Sequence, residues 1–377
     1  MSSKLKITFF FLMSLAMCFG FFHLFVHGTR YNFDRLHIFL FNLCSGGTIV
    51  LYYTEGLQNP SHKVLTFLLL SISYALLTFF EYYVPAMVVA IILATIVESI
   101  RVKAFSFFPS DFFKFEVPVY KKFHQASLLC LSMGLVISSG VILNNIYLKV
   151  IKLPKFQLDT FFLGFSFPLS LITMSVMFSL IRTDFGRLIK VLKNIGFWVV
   201  NLGVITFFLF ILLEMEIPQL IIATILSACV VMIFVLYRIL GVEEQQKNFL
   251  TSGMGFLLCT AITGMLYIAL HLSPGYDSFK GQVVLRIHSF VSLYGWNLSG
   301  LAVICRYNDF PIRLHSKHVI WLHWITVLIL APYGYYSRPV AIVAIASYCV
   351  LLYLILFSQG SQRIKEMLQS EIPVSAL

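Results

Sequence analysis

Residues 284–306 read VLRIHSFVSLYGWNLSGLAVICR, 307–318 read YNDFPIRLHSKH, and 319–330 read VIWLHWITVLIL. Two apolar runs flank a short basic connection. Each run carries a histidine near one end, His288 on the first and His323 on the second. On the first, His288, Ser292, Gly295 and Ser299 fall at i, i+4, i+7 and i+11, which places a small, polar stripe on one helical face. Lipid does not favour such a face. It predicts contact with another helix, or with a ligand that takes one imidazole nitrogen.

Apolar runs of this kind recur along the whole chain. Of 377 residues 59% are hydrophobic and 11% charged, and the mean hydropathy is +0.89, which excludes an ordinary soluble domain. Runs of about 18 or more apolar residues are long enough to cross a hydrocarbon core roughly 30 Å thick. The expected fold class is all-α: a polytopic integral membrane helix bundle, with residues 1–377 forming a single transmembrane domain in the lipid bilayer. The formal charge of +11 lies in short loops between apolar runs, where the topology rule for Lys and Arg accounts for it; nucleic acid is not an expected partner. Seven cysteines, at 18, 44, 130, 229, 259, 305 and 349, all lie within apolar runs, as buried thiols do. No CxxC or CxxCH occurs, so a zinc ribbon, a redox dithiol and a covalently attached haem have no support.

Twelve spans are predicted, at about 7–27, 36–54, 63–82, 84–100, 123–144, 158–181, 195–213, 217–237, 249–271, 283–305, 317–336 and 339–358. The first has the basic start of a signal peptide but no small-x-small cleavage site, and is expected to stay as a span. With the N-terminus inside, nineteen of the 27 Lys and Arg fall on the cytoplasmic side and eight on the other. That asymmetry predicts N-in, C-in topology. Residues 101–122, rich in aromatics and lysines, read as a cytoplasmic interfacial loop, and 360–377 as a short cytoplasmic tail.

The ten histidines divide evenly between the two sides of this drawing. Arg35-Leu36-His37-Ile38-Phe39 opens the second span and Arg286-Ile287-His288-Ser289-Phe290 the tenth, both entering from the outer face. Small residues follow each, which lets helices approach closely or leaves room for a flat cofactor. His124 shares a side of the fifth span with Ser127, Gly134 and Ser138. Imidazoles on membrane helices suit haem iron and copper. The expectation is an outer cofactor site of His37 with His288 and an inner one of His124 with His323, giving an electron path across the membrane. His37, His288 and His271, all on the outer side, are the expected ligands for a metal ion such as copper. The competing reading of each helix-end histidine is a hydrogen bond to a neighbouring carbonyl. Of the acids at or inside spans, Glu55, Glu98 and Asp159, Glu98 is expected to pair with Arg101 at i+3.

The run H-x6-G-x4-G-x4-C-R from His288 to Arg306, followed by a basic turn and another span, resembles NnrS-type membrane proteins. More distantly it is similar to histidine-bearing helices of haem–copper oxidase and nitric oxide reductase large subunits. The resemblance implies haem of the b type, with copper as the second candidate, bound by membrane histidines in electron transfer or in nitric oxide or respiratory metabolism. It also implies a redox partner or fellow subunits, and a place in the bacterial inner membrane. Tyr307-Asn308-Asp309-Phe310 stands where the G-H-x-G-R turn of that family would be. No adjacent histidine pair occurs, so a binuclear oxygen-reducing centre is not expected. Twelve spans with both ends inside also suit a secondary transporter of a small solute, or a non-catalytic subunit of a membrane complex.

Overall fold

The computed structural model describes residues 1–26, 31–56, 59–157, 165–182, 186–242, 247–307, 314 and 316–358. The 360–377 tail, His27, Asp159 and His315 lie outside them. Every regular element among the described residues is a helix, and their one β-type contact joins Ile181 to Gly241. Here Val242 N–H donates to the Leu180 carbonyl at 2.8 Å and Arg182 N–H to that of Leu240 at 3.1 Å.

Among the described residues nine helices are long and apolar enough to cross a membrane. They are α1 (Ser3–Gly20), α2 (Phe33–Glu55), α3 (His62–Phe79), α4 (Tyr83–Ala104), α5 (Val119–Leu148), α7 (Arg187–Leu212), α8 (Glu216–Leu240), α9 (Lys247–His271) and α12 (Arg338–Phe357). Three further helices stand where spans were expected but are not among the nine. Of these, α6 (Ser166–Ser179) has only 14 residues. The other two, α10 (278–305) and α11 (317–334), carry polar groups along their length, among them His288, Ser292 and Asn297 on α10.

Local chemistry sets the ends. Asn32 caps α2 by accepting from Arg35 N–H at 3.0 Å, and Gly56 ends it with φ at +63° in the left-handed region. Ser61 and Asp277 cap α3 and α10 in the same way. Pro85 sits in the first turn of α4, where its missing N–H costs no helical bond. At the far end of α10, the buried Arg306 donates to the carbonyls of Leu356 and Ser358, each at 2.6 Å, so a cation closes the C-terminus of α12.

Burial separates a centre from a rim. Of the apolar stretch of α2, 89% is buried inside the protein, against 22% for α7 and 28% for each of α8 and α9. The outward Leu202, Ile205 and Leu209 of α7 and Ile217, Ile221 and Ile225 of α8 are the apolar faces that lipid would cover. Helix α6 packs against α5, α2 and α10, so α2, α6 and α10 form the interior. A π turn interrupts α2 at Phe39–Gly47, α10 at Val291–Asn297 and α11 at Ile325–Leu330, each beginning two or three residues after a histidine. The small stripe of α10 meets α9: a Cβ at Gly295 would approach Phe256, and one at Gly253 would approach Ser299, at 2.5 and 2.8 Å.

In the 101–122 segment Arg101 is buried. It pairs with Glu98 at 2.6 Å and holds the carbonyls of Ser106 and Phe107 at 3.1 and 3.0 Å. The i+3 pair expected from the sequence is formed, and it anchors a turn whose Phe107, Phe108 and Phe113 point outward.

Candidate functional site: the helix histidines and Tyr294

His37 lies in the first turns of α2 and is buried between α1 and α10. Its Nδ1 is 2.7 Å from the Ala16 carbonyl of α1. A carbonyl only accepts, so Nδ1 carries the proton, and in the neutral ring the lone pair is on Nε2. Gly20, one turn beyond Ala16, makes room: a Cβ there would stand 2.8 Å from His37 Nδ1. The Tyr294 hydroxyl lies along the ring edge, 3.0 Å from Nδ1 and 3.5 Å from Nε2.

His288 repeats this on the other R-[LI]-H-x-F helix. Its Nδ1–H donates to the Thr260 carbonyl of α9 at 2.9 Å, with Thr263 Oγ1 at 3.4 Å. Gly264 again stands one turn beyond the accepting residue, and a Cβ there would come 3.1 Å from the ring. The lone pair of His288 is therefore also on Nε2.

His124 and His323 are held the opposite way round. Thr54 Oγ1 spends its proton on the Val50 carbonyl at 2.7 Å, so His124 Nε2 must donate to that oxygen at 2.8 Å. The His124 ring packs on Tyr53 and Phe105, each at a 5.3 Å centroid distance. His323 is fully buried between Phe249 and Phe256, and its Nε2–H donates to the backbone carbonyl of Tyr294 at 2.6 Å. Its Nδ1 is buried without a hydrogen-bond partner. His124 and His323 thus both spend Nε2 on a protein oxygen.

His37 and His288 dock on different helices and share no partner in the described contacts, nor do His124 and His323. His271 pairs instead with Glu216 of α8 at 2.8 Å and packs edge-on to Tyr276. Among the described residues, no group of three or more His, Cys, Asp or Glu side chains is arranged to hold a metal ion.

Tyr294 is the hub that the sequence did not disclose. From the π turn of α10 it offers its hydroxyl to His37 and its carbonyl to His323, and its ring contacts Phe41 and Tyr348 at 4.9 Å each. A tyrosine six residues from a histidine carries no periodic signal toward a histidine 257 positions away. A second feature joins the same ends of α2 and α10. Arg286 stands 3.5 Å from Asp34 and lies 4.1 Å over the Tyr335 ring. In the two π turns the side-chain oxygens of Asn42 and Asn297 are buried without a partner.

Against protein-family models, curated proteins and solved structures alike, this chain has no match.

Proposed function

We propose that this chain is an integral membrane protein of the bacterial inner membrane. In this reading it binds b-type haem through helix histidines and acts in electron transfer or in nitric oxide or respiratory metabolism. One observation carries the reading. His37 and His288, in matching sequence contexts, each donate Nδ1–H to a helix carbonyl and keep Nε2 as the acceptor nitrogen. Metal-bound imidazoles are held this way, because the bond at one nitrogen fixes the tautomer and the ring plane for the other. The residues fit the group one histidine at a time, since the two rings dock on different helices. His288 is the better placed, as its Nε2 faces no tyrosine hydroxyl. His37 is the second position.

A haem held by one of these nitrogens would supply an iron that changes oxidation state and binds a diatomic ligand. The chain's own part is to hold the imidazole and to keep water away. Thr260, Thr263 and Gly264 fix His288, while Ala16, Gly20 and Tyr294 enclose His37. Redox partners or fellow subunits belong to this proposal, as do twelve spans with both ends cytoplasmic, on the Lys and Arg asymmetry.

The test is a reduced-minus-oxidised visible spectrum of the detergent-purified protein, with metal analysis on the same sample. A b-type band with about one or two haems per chain is expected. A folded, colourless and metal-free protein would overturn the reading in favour of a secondary transporter. The specific observation behind that alternative is the pair of π turns at the centre of α2 and α10, with the unpartnered carbonyl oxygens of Asn42 and Asn297.

A further inference from the structure

We propose that the groove between α8, α9 and α11 is a binding site for an anionic phospholipid. Its volume is about 720 Å³, within the roughly 300–1,000 Å³ usual for small-molecule sites. The inference is independent of the histidines and of any cofactor.

The groove is ordered from charge to hydrocarbon. Arg238, at the end of α8, and Lys317, at the start of α11, line its mouth. Both are exposed, and among the described residues neither is engaged in an ion pair. Helices α9 and α11 both begin here, so two positive helix ends add to the same field. Asn248, Ser252 and Ser316 supply hydrogen-bonding groups among the lining residues. Farther in, the walls are Phe234, Ile320 and Trp324. Trp324 is seven residues along α11 from Lys317, which places it about 10 Å deeper at 1.5 Å per residue.

The floor is held in place. Trp324 Nε1–H donates to Ser252 Oγ at 2.8 Å, and its ring stacks on Phe256 at a 4.1 Å centroid distance. Gly255 lets the indole lie this close to α9: a Cβ there would stand 2.9 Å from it. Beside the groove, Val235 and Trp321 are 46% and 66% exposed, as apolar side chains facing lipid would be. A small soluble anion would use only the mouth, and a purely apolar guest would leave two cations without a partner. A phosphodiester carrying acyl chains matches both ends. Basic pockets between membrane helices recognise lipid headgroups through this combination.

The experiment is native mass spectrometry of the full chain in detergent, titrated with dioleoylphosphatidylglycerol or dioleoylphosphatidylcholine. We expect one phosphatidylglycerol to be retained at least tenfold more tightly than phosphatidylcholine. The double variant Arg238→Gln/Lys317→Gln should lose that preference while keeping its melting temperature, since both side chains are exposed. Equal retention of the two lipids by the unaltered protein would overturn the proposal. So would an undiminished preference in the double variant, or full displacement of phosphatidylglycerol by millimolar inorganic phosphate, which would mark a simple anion site.

Discussion

The imidazole of His37 donates Nδ1–H to the carbonyl of Ala16 at 2.7 Å, over a helix face opened by Gly20. His288 stands in the same relation to Thr260, with Gly264 in the place of Gly20. The α1–α2 and α9–α10 pairs therefore dock by one device: a histidine set into a small-xxx-Gly groove, its proton on the carbonyl one turn before the glycine. Close approach lets the imidazole share a carbonyl that already belongs to a helix. What the device leaves over is one acceptor nitrogen on each ring.

Substitution of these glycines should act through the histidines. Gly20→Ala would place a methyl 2.8 Å from His37 Nδ1 and must push the ring or the helix aside. The expected cost is about 1–3 kcal/mol, as for overpacked cores. Gly264→Ala meets its histidine at 3.1 Å and should cost less. Thermal unfolding in detergent checks the order; Gly264→Ala melting lower than Gly20→Ala would contradict the grooves as described.

The histidines should separate into two classes in cofactor content. His288→Ala, and to a lesser degree His37→Ala, should lower the haem-to-protein ratio several-fold. His124→Ala and His323→Ala should leave it unchanged, because the less hindered Nε2 that a haem iron takes already serves Thr54 and Tyr294, and only Nδ1, beside the ring's own backbone, is left over. His323→Ala should instead cost about 2–4 kcal/mol of stability by opening a cavity between Phe249 and Phe256. Pyridine haemochrome assay and unfolding on the same preparations make the comparison. Loss of haem from the His124→Ala and His323→Ala variants alone would reverse the assignment.

Arg306 should be a structural residue of high cost. It is buried and supplies donors to the carbonyls that end α12. Arg306→Leu leaves those carbonyls without that donor, and the loss is expected to reach about 2–4 kcal/mol. Arg306→Lys should recover part of it through one shared ammonium. An unfolding midpoint for Arg306→Leu equal to that of the unaltered protein would refute the role.

The proposed twelve spans with both ends cytoplasmic predict a labelling pattern. In a background with the seven native cysteines replaced, single cysteines at the exposed positions Lys149 and Lys280 should react with a membrane-impermeant maleimide in intact cells. Cysteines at Lys103 and Lys317 should react only after the cells are opened. Labelling at Lys103 in intact cells would invert the drawing.

Most of the helical framework could be read from neighbours along the chain. Apolar runs of span length and the Glu98–Arg101 pair depend on contacts within a few residues, where composition and the 3.6-residue period decide. The likeness of the two R-[LI]-H-x-F entries was visible for the same reason. Three expected spans are not among the nine apolar helices of the described residues: polar side chains lower the apolarity of α10 and α11, and α6 has 14 residues.

Proton positions were not available from the chain alone. Which nitrogen of His37 or His288 holds hydrogen is chosen by a carbonyl 21 or 28 residues away, and the Tyr294 hydroxyl reaches His37 across 257. Arg238 and Lys317 likewise read as loop-end cations until packing set them on one groove. Period and composition are sums over local neighbours, so they survive in the sequence. A tautomer, a shared carbonyl or a paired charge depends on a few ångströms between distant helices, and only the packed bundle supplies those.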